Sequence, residues 1–98
     1  MKDNFNNKNY SVEMDKLIYL LTLESIPFET RKSWDNTRQV FYPSIKNRIC
    51  DVICHSGSIG SEKGLLEIMG LTSDDDVEGR LTAEEVFKKI KKNYIKSC

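Results

Sequence analysis

The sequence predicts one small α+β domain, in which a helix at each end of the chain flanks an antiparallel β-sheet. Apolar residues recur at helical spacing near both ends of the chain. Between them the period of the pattern changes to two. The length of 98 residues suits one domain rather than two. The expected order is α-β-β-β-β-α, with both helices on one face of the sheet because two amphipathic helices need a common apolar surface.

The first predicted helix begins after Ser11, whose hydroxyl can cap it. Apolar residues then recur at i, i+3, i+4 and i+7 from Met14 to Leu21, which makes one apolar stripe. Pro27 disfavours helical geometry at the residue before it, so we expect the helix to end near Ser25.

The two ends of the chain set the expected domain boundaries. Residues 1–10 are polar and rich in Asn, which predicts a disordered tail. Near the other end, Thr82 and Glu85 have the spacing of a capping box, and the helix that follows has an apolar stripe opposite a lysine-rich side. The folded domain is therefore predicted to span residues 11–96.

Four predicted strands occupy the middle of the chain. The first two form a hairpin, because turn-forming residues separate two segments of strand-like alternation. The fourth is bounded by Gly64 and Gly70, which favours a strand paired with the third over a short helix. The acidic segment 73–79 is expected to be an exposed loop. The predicted strands cover residues 28–34, 38–42, 49–55 and 65–69.

Composition and charge narrow the class of protein. No apolar run approaches the roughly 20 residues of a membrane span, and the N-terminal residues lack the apolar region of a secretory signal. Cys50, Cys54 and Cys98 are odd in number, which argues against a secreted disulfide framework and predicts reduced thiols in the cytoplasm. The net charge is +0, so the overall charge does not indicate a nucleic-acid partner. A neutral chain also lacks the charge repulsion that keeps copies apart, so self-association is plausible.

The segment around the single histidine is the first candidate for chemistry, since Cys54 and His55 lie near Asp51. If residues 49–55 form a strand, Cys54 and His55 point to opposite faces, and Asp51 lies about 13 Å from His55. Cys50 and Cys54 are separated by the same distance of about 13 Å, too far for one zinc ion. We therefore predict no catalytic residue, no metal site and no cofactor, and interpret both thiols as small buried side chains.

A ligand site is the second candidate, at the Gly- and Ser-rich loop 56–64. Such a loop can present backbone N–H groups and hydroxyls to a small polar or phosphorylated ligand. The strand that enters the loop carries polar residues that must be paired or must line an opening. The alternative is a flexible hairpin connection. The candidate ligand-binding residues are Arg48, Asp51, His55, Ser56, Gly57 and Ser58.

Aromatic and basic residues supply two further candidates. Trp34 and Tyr42 on the hairpin could anchor a partner, although cross-strand packing is the commoner use of such residues. The lysines of the last helix could contact nucleic acid, and a solvated helix face is the alternative.

Five segments of the chain, IPFETRKSWD, QVFYPS, NRICDVICHSGSIG, GLLEIMGL and VEGRLTAEEVFKKI, resemble a family of small proteins from phages and prophages of low-GC Gram-positive bacteria. The resemblance extends from about Met14 to Ile95. It implies a phage setting and no particular reaction.

These features favour a non-enzymatic phage or prophage accessory protein that binds a small polar ligand or a host protein in the host cytoplasm. Such a protein could counter host defence by sequestering a small nucleotide signal or by blocking a host protein. The alternative is a nucleic-acid-binding accessory protein, indicated by the lysines of the last helix and the aromatic hairpin.

Overall fold

The computed structural model describes residues 2–32, 37–55, 58–71 and 77–97. Within these residues the order is helix, five antiparallel strands, helix, which is the predicted α+β layout with one strand more. A short 3₁₀ turn, Ser61–Lys63, precedes the fourth strand. The main elements are α1 (Lys2–Leu23), β1 (Glu29–Lys32), β2 (Arg38–Tyr42), β3 (Cys50–Ile53), β4 (Leu66–Gly70), β5 (Val77–Leu81) and α2 (Ala83–Ser97).

The described strands form one sheet in the order β1-β2-β3-β4-β5, so each strand pairs with the next along the chain. The predicted hairpin is confirmed, with Glu29 opposite Phe41 and Lys32 opposite Arg38. The predicted strand at residues 65–69 is also confirmed as β4, and it pairs antiparallel with β3. The tip of the hairpin, which includes Trp34, lies outside the described residues.

The fifth strand corrects the expected loop at residues 73–79. Residues 72–76 lie outside the described residues, but Val77–Leu81 pairs with β4. Its polar sequence and Gly79 concealed the strand, and its register shifts where Arg80 adopts a positive φ of 59°. A strand with such an irregularity is held by its partner more than by its own β-propensity.

Helix α1 also differs from the prediction at its N-terminal end. It starts at Lys2, so Ser11 lies inside the helix instead of capping it, and residues 2–10 are helical where a disordered tail was expected. The segment contains neither Gly nor Pro, so nothing in it interrupts the backbone ladder of the helix. The chain leaves the helix at Glu24 and Ser25, as Pro27 predicted.

Both helices pack on the same face of the sheet, around one core. The core joins apolar side chains of α1 and α2 to alternate residues of the strands, including Val40, Val52 and Ile68. No helix in the described part of the chain is both long and apolar enough to span a membrane.

Candidate functional site

The sheet has two faces of different chemistry, because successive side chains of a strand alternate between them. The core face carries the side chains that pack against the helices, such as Val40, Val52 and Ile68, which are aligned in register. The residues between them form the opposite face, here called the helix-free face. Its members are Glu29, Arg31, Gln39, Phe41, Asp51, Ile53, Glu67, Met69 and Val77.

Asp51 is the most buried charged group on the helix-free face, with 7% of its surface exposed. Its Oδ1 accepts a hydrogen bond of 2.7 Å from Arg48 Nε, and its Oδ2 accepts one of 2.9 Å from Gln39 Nε2. A carboxylate can be kept at such a site when each oxygen has a donor. The pair Arg48 and Asp51, predicted as part of one site, is therefore brought together, and Gln39 from β2 completes the group.

A cation and an aromatic ring lie beside this group. Phe41 is directly opposite Asp51 in the β2–β3 pairing, and the Arg31 guanidinium is 4.9 Å from the centre of its ring. Phe41 is only 5% exposed although both helices lie on the other face. The connection after β2 also folds toward β1, where Ile45 N–H donates to Glu29 Oε1 at 2.7 Å. These contacts cover the Phe41 ring and leave the exposed Arg31 above it.

Aliphatic side chains extend the helix-free face toward β5. Ile53 and Met69 are half-buried, and Val77, opposite Met69, is 44% exposed. Ile49 continues the β3 ladder, since its N–H donates to Tyr42 O and its carbonyl accepts from Leu71 N. Because Cys50 faces the core, Ile49 points to the helix-free side, where it is 37% exposed.

The loop after β3 is internally bonded in its described part. His55 N–H donates to Ser58 Oγ at 3.2 Å, while His55 O accepts from both the N–H and the hydroxyl of Ser58. His55 and Ser58 are thus held in one turn; Ser56 and Gly57 lie outside the described residues. The backbone N–H groups already bonded within the protein are those of Ser58, Ile59, Ser61, Lys63, Gly64 and Leu65.

Glu67 fixes this loop to the sheet and gives it a negative neighbour. Its Oε1 accepts the N–H of Ile59 at 2.7 Å, and Glu67 is 8% exposed. The Ile59 side chain lies against Gly79, where an added Cβ would come within 2.4 Å of it. Ile59 O accepts from Arg80 N at 3.3 Å. The engaged amides and the nearby carboxylate do not favour a phosphate at this loop.

Cys50 in β3 and Cys54, the first residue after it, lie on the core side, as the alternation predicted. Cys50 and Cys54 are both 0% exposed. Burial raises the pKa of the Cys50 thiol to about 12, with a further contribution from the Asp51 charge. A thiol with that pKa is protonated at neutral pH and is not a nucleophile. Among the described residues, no three His, Cys, Asp or Glu side chains gather as a metal site would require.

Tyr42 lies on the core face and is 2% exposed. Its hydroxyl donates to Asn93 Oδ1 at 3.0 Å, which ties β2 to α2. A ring buried in this way cannot stack on a partner, so the candidate role in partner binding is replaced by packing. Of the two aromatic candidates, Trp34 lies outside the described residues.

Sequence reasoning missed Arg31, Gln39 and Phe41 as members of the site. The alternation in β1 and β2 was visible, but the neighbours of Asp51 depend on the β2–β3 register, which pairs Phe41 with Asp51. Comparisons with protein-family models, with curated proteins and with solved structures give no match to this chain.

Proposed function

We propose that this protein is a non-enzymatic phage or prophage accessory protein, and that it counters host defence by blocking a host protein in the cytoplasm. The phage setting rests on the resemblance of residues 14–95 to that family. The binding role rests on one observation: the helix-free face presents the exposed aliphatic side chains of Ile49 and Val77 together with the exposed Arg31, above the buried Phe41 ring and Asp51 cluster.

A purely solvated sheet face would look different. One face of an antiparallel sheet often meets water, and its residues are then polar at every second position. Strand β1 fits that description, since all four of its residues are exposed and polar. On β3, β4 and β5 the same face carries Ile53, Met69 and Val77 beside the buried carboxylates of Asp51 and Glu67. Aliphatic groups beside Arg and Met are typical of protein interfaces.

A protein partner is favoured over a small nucleotide for two reasons. Most described amides of the loop after β3 are engaged within the chain, with the Glu67 carboxylate next to them. The polar groups on the helix-free face are already positioned, because Asp51 holds both Gln39 and Arg48. Groups held before binding lose little further freedom when a partner arrives.

Site-directed photocrosslinking tests this proposal. A photoreactive residue at Val77 on the helix-free face should capture one host protein in cells of a low-GC Gram-positive bacterium. A photoreactive residue at Tyr19, which is 62% exposed on α1, should not capture it. With the captured protein purified, we expect Val77→Asp or Ile49→Asp to weaken binding at least tenfold, measured by calorimetry, while Tyr19→Asp binds like the wild type.

Two results would contradict the proposal. Capture of the same proteins from positions 77 and 19 would mean that no particular face is used. A salt-insensitive shift of the amide signals of residues 51–64 on addition of nucleotides, with no protein captured, would instead support sequestration of a small nucleotide signal.

A further inference from the structure

Helix α2 concentrates positive charge that the neutral chain as a whole does not show. Five lysines and no acidic residue lie within residues 86–97. Two of these lysines are neutralised: Lys89 Nζ is 3.0 Å from Glu78, and Lys91 Nζ is 3.1 Å from Glu24. The other three are exposed and form no ion pair with any described residue. This lysine row consists of Lys88, Lys92 and Lys96.

The spacing of the lysine row is regular. Residues four apart lie on the same side of a helix, about 6 Å apart along its axis. Like charges at this spacing repel each other, so the Lys88–Lys92 and Lys92–Lys96 pairs do not stabilise the helix. The helix dipole favours cations in the last turn, which accounts for Lys96. It does not account for Lys88, which lies in the second turn.

The row also forms a ridge between two shallow depressions, since Lys92 and Lys96 line both. One depression has a volume of about 210 Å³ and includes Leu71 and Asn93. The other has a volume of about 410 Å³ and includes Lys88 and Ile95. An extended anion lying along the ridge would therefore have room on each side for groups attached to it.

We infer that the lysine row binds the phosphate backbone of a nucleic acid without reading its sequence. The row is about 12 Å long, which corresponds to three or four nucleotides at about 3.4 Å each along one strand. Lysine ammonium groups contact phosphates as point charges and carry little base information. This activity goes beyond the proposed function, because α2 packs on the core face, opposite the helix-free face.

An anionic membrane surface is a less suitable partner for this helix. Helices that lie on membranes insert a continuous apolar face. The apolar side of α2, with Ala83, Val86 and Ile90, is buried in the core. Among residues 83–97, Ile95 is the one large apolar side chain that is exposed. Charge without an apolar face matches a nucleic acid better than a lipid bilayer.

Fluorescence anisotropy with a labelled 12-nucleotide DNA, single-stranded or as a duplex, tests the inference between 20 and 200 mM salt. Three neutralised phosphates predict a log–log slope of about −2 for the single strand and about −2.7 for the duplex. Replacing all three lysines, K88Q/K92Q/K96Q, should bring the slope close to zero. Glutamine is a good helix former, so circular dichroism should show the same helix content.

The matched control is K32Q/K46Q/K63Q, which removes the same charge from exposed lysines elsewhere. It should bind with the wild-type slope. An equal loss of DNA affinity in the control and in the row variant would overturn the inference, because the net charge of the protein rather than the lysine row would then govern binding. It would also be overturned by no binding at 20 mM salt, or by binding to phosphatidylserine vesicles without binding to either DNA.

Discussion

The core face and the helix-free face are made from alternate residues of the same strands, yet they are stabilised in different ways. On the core face, Val52 and Ile68 are stabilised by removal of apolar surface from water, worth about 1.5–3 kcal/mol for each fully buried side chain. On the helix-free face, Asp51 is stabilised by hydrogen bonds that offset the cost of removing its charge from water. The first kind of face tolerates any apolar group of similar shape, whereas the second fixes particular polar groups at the surface.

Two adjacent residues of β4 should show the largest difference in stability between the two faces. Ile68 on the core face is 4% exposed, whereas Met69 on the helix-free face is half-buried. We expect Ile68→Ala to lower the free energy of unfolding by about 3 kcal/mol, through lost burial and a cavity. Met69→Ala should cost about 1 kcal/mol, because part of its surface already meets water. Urea denaturation followed by circular dichroism measures both, and equal losses would mean that the two faces are equally enclosed.

Removal of the Asp51 carboxylate is the next largest effect. Asp51→Ala should lower the free energy of unfolding by about 2 kcal/mol, since Gln39 and Arg48 both lose their acceptor. Asp15→Ala is the control, because it breaks an exposed ion pair with Arg38, worth under about 1 kcal/mol. The loss at Asp51 should persist in 0.5 M salt, which weakens exposed pairs far more than buried ones. If 0.5 M salt abolished the stability difference between Asp51→Ala and the wild type, the Asp51 carboxylate would be solvent-exposed instead of buried.

The Cys50 thiol on the core face predicts a pH dependence. Burial raises its pKa in the folded protein to about 12 from 9.0, so between these values the unfolded chain loses a proton that the folded chain keeps. Ionisation then favours unfolding, and the contribution of Cys50 to stability falls as the pH rises above 9. The slope approaches about 1.4 kcal/mol per pH unit. Urea denaturation at several pH values from 8 to 10.5 measures this dependence. The free energy of unfolding should fall more steeply with pH for the wild type than for Cys50→Ala. Equal slopes would mean that the thiol is accessible in the folded protein.

The sequence predicted the fold where a pattern within one segment was sufficient. Alternation in residues 49–55 assigned Cys50, Val52 and Cys54 to one face, and all three are fully buried. Strand β5 was missed because its sequence is polar and contains Gly79, so its conformation depends on β4 and on the Ile59 side chain that lies against that glycine. A strand that is defined by its neighbours has no strong signal of its own.

The same distinction applies to the candidate site. Arg48 and Asp51 were both predicted as ligand-binding residues, because they lie on the segment that enters the loop after β3, and they form an ion pair three residues apart. The contribution of Gln39 could not be predicted, because it depends on how many residues the β2–β3 connection contains. One residue more or less would move β2 by one position and turn Gln39 and Phe41 to the core face.

The smallest expected effects on stability come from removing a single polar contact on β1 or on β2. Tyr42→Phe on β2 keeps the buried ring and removes the hydrogen bond to Asn93, so it should cost about 1 kcal/mol. Arg31→Gln on β1 removes the cation above Phe41 at an exposed position and should cost about 0.5 kcal/mol. Arg31→Gln should nevertheless weaken binding of the captured host protein more than Tyr42→Phe does, since Arg31 lies on the helix-free face and Tyr42 lies on the core face. If stability and binding instead change in parallel for the two variants, the polar groups of that face serve the fold and not a partner.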